Sequence, residues 1–405
     1  MSPRAPVGRG PMRRAPAARS RRSPRTRRSA RVLLLALVAA CALLVTGCFG
    51  PAEPGAPGLI TSIWVDGLSR AWDLAFLPSG LPVYTENDSG QISARFGDAD
   101  RHHFLGRVSS FDGGFSGSGE GGLMGLAIDP AYGAGNLRAY VCYSTTTDNR
   151  VARFDLNPAA APAISNWTVI VQGIPHNPSF HNGCRVRFQP GTGALFVSTG
   201  DAGSATAPQD DNSLGGKILR ITTDGTMWPG NASGKLWYSK GHRNPQGIAF
   251  RPGSNDPFSI EHGPDVNDEV NKLVNGGNAG WNPNDSAGGY DQSKPMTAAG
   301  ATELPTWASG FVTVAPSGGT FLSGPQWKTW NGVLAVACLD GSPLVGQRLL
   351  AMTLDGPGTS LTHPAVSTLA IRQRLRVPVE GPDGNLYVVT DGDGGSGGIW
   401  RVVPV

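Results

Sequence analysis

Cysteine and charge are both scarce in this 405-residue chain, and each shortage removes a class of function. Of the five cysteines, none forms a Cys-x-x-Cys pair and none stands at zinc-type spacing from a histidine, which speaks against a structural zinc site. Charged residues make up only 16% of the chain, against 57 glycines and 33 prolines. That balance does not suit long surface helices. It suits short strands joined by many tight turns, and the expected class is all-β. Positive charge is also missing where a nucleic-acid partner would need it. Residues 1–47 hold 11 of the 34 basic residues, all arginine, and no acidic residue; the 23 left face 30 acidic ones, a balance of −7 behind a formal net charge of +4. No nucleic-acid partner is expected.

The arginine-rich start is followed by "VLLLALVAACALLVTGC", an apolar run too short and too abruptly ended for a spanning helix. Its end, "VTGC", resembles a bacterial lipobox. It implies a lipoprotein signal peptide over 1–47, cleavage before Cys48, lipidation of Cys48 and export to a membrane-anchored position facing the periplasm or the cell surface. An uncleaved N-terminal anchor is the alternative, and "RRSPRTRRSAR" hints at twin-arginine export. Residues 48–58, ending in "FGPAEPGAPG", form a Pro/Gly linker, leaving 59–405 as the folded body. Outside the cytoplasm one disulfide among Cys142, Cys184 and Cys338 is allowed, with one thiol left over; the sequence does not pair them.

The body repeats itself. Six stretches, from "WDLAFLPSGLPVYTEND" to "RVPVEGPDGNLYVVTDGDGG", share an apolar run, a turn carrying Pro, Gly, Asp or Asn, and a second apolar run ending in polar residues. Taking Leu74, Leu126, Val186, Ile248, Thr320 and Val379 as equivalent leaves 52 to 72 residues between copies, room for four short strands and their loops. A unit that cannot bury both sheet faces alone and recurs six times points to a six-bladed β-propeller. A large sandwich is the rival arrangement, but sandwiches seldom show such self-similarity. "LITSIWV" and "GIWRVVPV", at the two ends of the body, are expected to meet in one blade and close the ring.

In a propeller, polar groups at equivalent strand ends converge on the axis. Three clusters precede an inner run: Glu120 in "GSGEGG", His181 in "FHNG", and His242, Arg243, Asn244 and Gln246 in "GHRNPQG". Three follow one: Asp201 in "STGDAG", the run "EHGPDVNDEVN" from Glu261, and "TDGDGGSGG" from Thr390. Arg374 and Arg376 have the period-two spacing that puts both side chains on one face of a strand.

Taken in order, "GEGGLMGLAIDP", "HNGCRVRF", "STGDAG", "NSLGGKILRI", "GHRNPQGIAF", "EHGPDVNDEVN", "GGNAGW" and "GPDGNLYVVTD" resemble the soluble quinoprotein glucose and aldose sugar dehydrogenases, also called glucose/sorbosone dehydrogenases, over residues 68–404. The resemblance implies a propeller that binds pyrroloquinoline quinone (PQQ) and calcium and oxidises the anomeric carbon of aldoses to lactones. It implies His181 as general base, oriented by Asp201, and Arg243 and Asn244 at the quinone oxygens. Arg374 and Arg376 would clamp the cofactor carboxylates, and Glu120 would line the pocket. Carbonyls of Gly263 and Pro264 would hold calcium, and Glu269, with the carbonyl of Ala279 where Tyr is common, a second calcium. Electrons would leave for an unknown acceptor, which a lipid anchor would keep close.

Three departures from the family pattern stand out. Asp340 falls where some members carry a basic cofactor-binding residue, with Arg348 nearby; Val377 follows the Arg pair where Asp is usual; Cys184 replaces Gly. Near a tricarboxylate, Asp340 would be repulsive. Two other functions stay open on the sequence: a cofactor-free surface lipoprotein binding glycans or a partner, and a calcium-dependent lactonase, which would need Asp, Asn and Glu side chains around an axial metal.

Overall fold

The computed structural model describes residues 49–50, 54–285, 287–340, 348–369, 371, 373–392 and 395–405. The expected leader, Cys48 and its lipidation lie outside the described residues, as does 341–347 between Asp340 and Arg348. Six sheets, each built on four antiparallel strands, follow one another along the chain; two carry a further short parallel strand, Phe49–Gly50 beside Ala365–Thr368 and Gly277–Asn278 beside Trp237–Lys240. Blade one is Ala71–Phe76, Pro82–Glu86, Gln91–Ala94 and His103–Arg107; blade two is Leu123–Ile128, Arg138–Ser144, Asn149–Leu156 and Ile164–Ile174. Blade three is Gly183–Phe188, Leu195–Thr199, Lys217–Ile221 and Trp237–Lys240; blade four is Pro245–Phe250, Pro257–Glu261, Glu269–Lys272 and Pro305–Ala308. Blade five is Pro316–Phe321, Leu334–Cys338, Leu349–Met352 and Ala365–Thr368; blade six is Arg374–Glu380, Leu386–Asp391, Gly397–Pro404 and Leu59–Leu68.

The first strand of each blade touches the first strand of the next through a complete circuit, back to blade one. That is the six-bladed propeller expected from the repeats. The two terminal strands also meet as expected, Leu59 pairing with Pro404 and Leu68 with Gly397. The repeat alignment is one residue out in two copies. Leu74, Leu126, Val186 and Ile248 stand two places before the end of their inner strands, and the equivalents in blades five and six are Gly319 and Pro378 rather than Thr320 and Val379. Neither offers the bulky apolar side chain that marks the other four.

Blades pack face to face through apolar layers, as where Val83 and Ile92 of blade one meet Leu126, Val141 and Phe154 of blade two. Each such fully buried aliphatic or aromatic side chain contributes roughly 1.5–3 kcal/mol. The third residue of each inner strand, by contrast, is either glycine or charged: Asp73, Gly125, Arg185, Gly247, Gly318 and Arg376. At the glycines the next blade comes close; a Cβ on Gly125 would stand 2.5 Å from the carbonyl oxygen of Cys184, and one on Gly247 2.3 Å from that of Ser317. The charged members fill the axis. Arg185 pairs with Asp73 at 2.9 Å and stacks 3.8 Å from the Trp72 ring, while Arg187 grips both Asp73 oxygens at 2.8 Å. Burial opposes ionisation of Asp73, but the two arginines outweigh it and hold the carboxyl below its usual range. Gly247→Ala is expected to cost roughly 3 kcal/mol, because the obstacle is backbone of the neighbouring blade. An unchanged thermal melt would refute the close-approach account.

In every blade the pairing of the inner strand with its neighbour shifts register near the strand's start. Such bulges re-aim side chains at sheet ends, here at the end where the polar clusters gather.

Candidate active site

At the start of blade three the chain turns through His181, Gly183 and Cys184 with φ of 59°, 64° and 69°. Two non-glycine residues in the left-handed region need support from outside, and several elements supply it. Glu120, from the loop before blade two, accepts the backbone N–H of His181 at 2.8 Å and that of Asn182 at 3.3 Å. Asn244, before blade four, accepts the N–H of Gly183 at 3.1 Å. A disulfide joins Cys184 to Cys142 of blade two, while Cys338 is a buried free thiol. Gly200 lies so close behind that a Cβ there would be 1.9 Å from the His181 carbonyl oxygen. The first glycine of "STGDAG" is thereby explained, as is Gly119, whose Cβ would meet the Pro178 carbonyl at 1.9 Å.

The His181 Nδ1 sits 2.7 Å from Asp201 Oδ1, with the histidine 6% exposed and Asp201 fully buried. Asp201 also accepts the Gly203 N–H on Oδ1, and the Trp281 indole N–H and Tyr290 hydroxyl on Oδ2. With Nδ1 turned to a carboxylate it carries the proton, which leaves Nε2 with a bare lone pair. No hydrogen bond to Nε2 is made among the described residues. Phe180 stands edge-on to the ring, centroids 4.7 Å apart.

Glu120 also accepts amide N–H groups from Asn244 at 3.1 Å and Gln246 at 2.6 Å. Gln246 in turn accepts from Arg376 at 2.5 Å. One chain of contacts thus runs from the His181 turn across blade four to blade six. Beside it opens a cavity of about 420 Å³ whose lining includes Arg70, Glu120, Gln246, His262, Arg374 and Arg376. The Arg pair shares a strand face, as its spacing implied. Arg376 is buried and hydrogen-bonded to Asp391; Arg374 is half exposed, 3.6 Å from the same carboxylate, and Arg70 reaches it from the next blade at 3.8 Å. Asp391 therefore supplies the acid missing at Val377, which instead packs against Gly318. Burial works against the Asp391 anion, yet Arg376, Arg374 and Arg70 hold it below the usual carboxylate range.

Arg243 spends one nitrogen on the His262 carbonyl at 3.1 Å and another on Gln292 at 2.6 Å, while its Nε is buried without a partner. His262 Nε2 and Arg376 Nε are likewise buried and unpartnered. Burial, and then Arg243 and Arg376, push His262 far below the usual imidazole range, so it is neutral at physiological pH. Unsatisfied donors beside an excess of arginine fit a planar group carrying several acidic oxygens.

Two expectations need correction. The Asn244 amide is engaged with Glu120 and Gly183, and Asn244, like His181 and Arg243, is not among the residues that line the cavity. Asp340 does not line it either; the wall residue from that turn is Leu339, and Asp340 lies within electrostatic reach of Arg348. At the metal positions, the carbonyl oxygens of Gly263 and Pro264 accept no hydrogen bond among the described residues, which leaves their lone pairs open to a hard cation. Asp268 is spent on the backbone of Gly263, Val314 and Ala315. Glu269 is buried, accepting from Thr297 and Asn271; burial and the nearby Glu261 push its pKa up to about 8. A cation there would favour the ionised form.

A model of the family described as glucose/sorbosone dehydrogenase matches residues 68–401. The chain belongs to that family. Aldose sugar dehydrogenase YliI of Escherichia coli K12 is 30% identical over 383 residues, which span 88% of this chain and 96% of that protein. The PQQ-bound form of aldose sugar dehydrogenase from Streptomyces coelicolor superposes with a TM-score of 0.69 at 30% identity, covering 87% of this chain and all of the other. The apo-form of the soluble E. coli enzyme gives 0.73 at 28% identity, over 86% and 100%.

In this member of the glucose/sorbosone dehydrogenase family the structure brings His181, Asp201, Glu120, Asn244, Arg243, Arg374 and Arg376 into one connected region. It adds Trp281, Tyr290, Gln292, Asp391 and Arg70, to which sequence reasoning gave no role. Trp281 lay in a quoted motif and Asp391 ends another, so order along the chain flagged both. Tyr290 and Gln292 sit in an irregular loop with no period to betray them.

Proposed function

We propose that this chain oxidises aldose sugars at C1 to lactones, using PQQ and calcium, with His181 as general base. The observation that carries the reading is the His181–Asp201 pair, its Nε2 bare, held by the same Glu120 that lines an arginine-rich cavity. When bound, the quinone supplies the acceptor for the hydride that leaves C1 of the sugar. His181 Nε2 takes the proton of the C1 hydroxyl, so that the oxygen's electrons can form the carbonyl as the C–H bond breaks. Asp201 keeps the imidazole in the required tautomer and stabilises its charged form. Arg70, Arg374, Arg376 and the unpartnered nitrogen of His262 would hold acidic groups of the cofactor, and Arg243 would face negative charge developing during the reaction. The Gly263 and Pro264 carbonyls would hold calcium, with Glu269 at a second ion.

The reading extends to an exported lipoprotein anchored at Cys48, passing electrons to an acceptor at the membrane. A lactonase is less well supported, since arginine, not a ring of acids and amides, crowds the axis around Asp73. The test is to titrate the purified full-length protein with PQQ and calcium and then assay dye reduction with a panel of aldoses. A saturable spectral change with sugar-dependent turnover is expected; saturation absent at micromolar quinone would overturn the assignment and favour a cofactor-free binder.

A further inference from the structure

We propose that Tyr290 and Trp281 are positioning residues that keep Asp201 an anion and so set how strongly His181 holds the proton it takes. Asp201 is fully buried, and a carboxylate so placed is costly unless hydrogen bonds replace its lost hydration. One oxygen is shared by His181 and the Gly203 N–H; among the described residues the other receives only Trp281 Nε1 at 2.8 Å and Tyr290 Oη at 2.7 Å. These two donors do opposite things to the base. They stop the imidazolium from losing its proton to Asp201, because each favours the charged carboxylate. They also drain charge from that carboxylate, so it supports the imidazolium less than a bare anion would.

Tyr290 has a second acceptor within reach, since His181 Nδ1 is 3.3 Å from its oxygen. Were its proton given to Nδ1, the ring would be protonated on Nε2 and useless as a base. The shorter contact to Asp201 directs it away. Burial and the Asp201 charge raise the Tyr290 pKa, which keeps the hydroxyl a donor. The other charged or titratable groups facing His181 are Glu120 on its backbone N–H, and Arg243 and His262 of blade four, with Arg374 and Arg376 of blade six beyond His262. Among the described residues none of these side chains donates to Asp201 Oδ2.

This inference rests on His181 being the base, but its main readout does not. The ring resonances of His181, assigned with His181→Gln, are followed through a pH titration in full-length protein without quinone. Tyr290→Phe should move the midpoint up by about one pH unit, because a hydrogen bond to a charged group has been removed. Trp281→Phe should move it the same way, and the acid limb of kcat/KM in the quinone- and calcium-loaded enzyme should follow. Midpoints unchanged in both variants, or displaced downward, would overturn the proposal, even if activity falls. A shifted midpoint together with full activity in His181→Gln would sink the base assignment and leave the Asp201 device standing.

Discussion

Replacing His181 by alanine is expected to lower kcat/KM for aldose oxidation by about three orders of magnitude, with quinone affinity changed far less. General-base assistance contributes on the order of 10²–10⁴, and no other group among the described residues is presented in the same way, with one ring nitrogen tied to a buried carboxylate and the other bare. Alanine is a poor tenant of a left-handed position, so loss of activity alone could report a distorted turn. His181→Asn answers that, because asparagine tolerates this backbone and cannot serve as a base. A loss of similar size in both variants, with both melting like the parent, identifies the chemistry. Near-parental turnover in His181→Asn would move the base elsewhere.

Removal of the Cys142–Cys184 disulfide should have the largest effect on stability. The bridge closes a loop with a sequence separation of 42 residues, for which the chain-entropy relation gives about 4 kcal/mol. In a body of this size that corresponds to a melting temperature lower by roughly 5 °C. Because Cys184 follows His181 by three residues, the loosened segment is the turn that carries His181, held from then on by hydrogen bonds to Glu120, Asn244, Asp201 and Ala202 and by the packing of Gly200. Cys142→Ala and phosphine reduction of the unaltered protein should therefore agree, both lowering the melt and both inactivating the enzyme below its global transition. Equal melts with and without the bridge would refute the estimate.

The architecture was legible because the same hairpin signal recurs six times and radial stacking is the natural way to cover such units. The turn before blade three stood out because a histidine and an asparagine precede an alternating apolar run, but the role expected of His181 came from the family resemblance, and the structure shows both side chains buried, with Asn182 bonded to Asn149 and Asn177. What escaped depends on contacts that the ring creates. Asp391 gathers Arg376 and Arg374 of its own blade and Arg70 of the next, a meeting no linear spacing announces. The partner of Cys184 lies on another blade, so counting cysteines could not find it. Tyr290 comes from a loop rich in Gly, Asn and Pro, where neither helical nor strand periodicity can point a side chain. The concern over Asp340 turned on one position, since Leu339 faces the cavity and its neighbour does not.

Blade six takes its outermost strand from the opposite end of the body, so Leu59 finds Pro404 only after everything between has been made. Such a contact is about as non-local as this chain allows, and pairings of that kind form late. Until then the molecule is an open arc with two bare rims, each offering unpaired amides to another copy. Its final step is thus also its period of greatest danger, and crowding during refolding would be felt there first, as chains joined rim to rim.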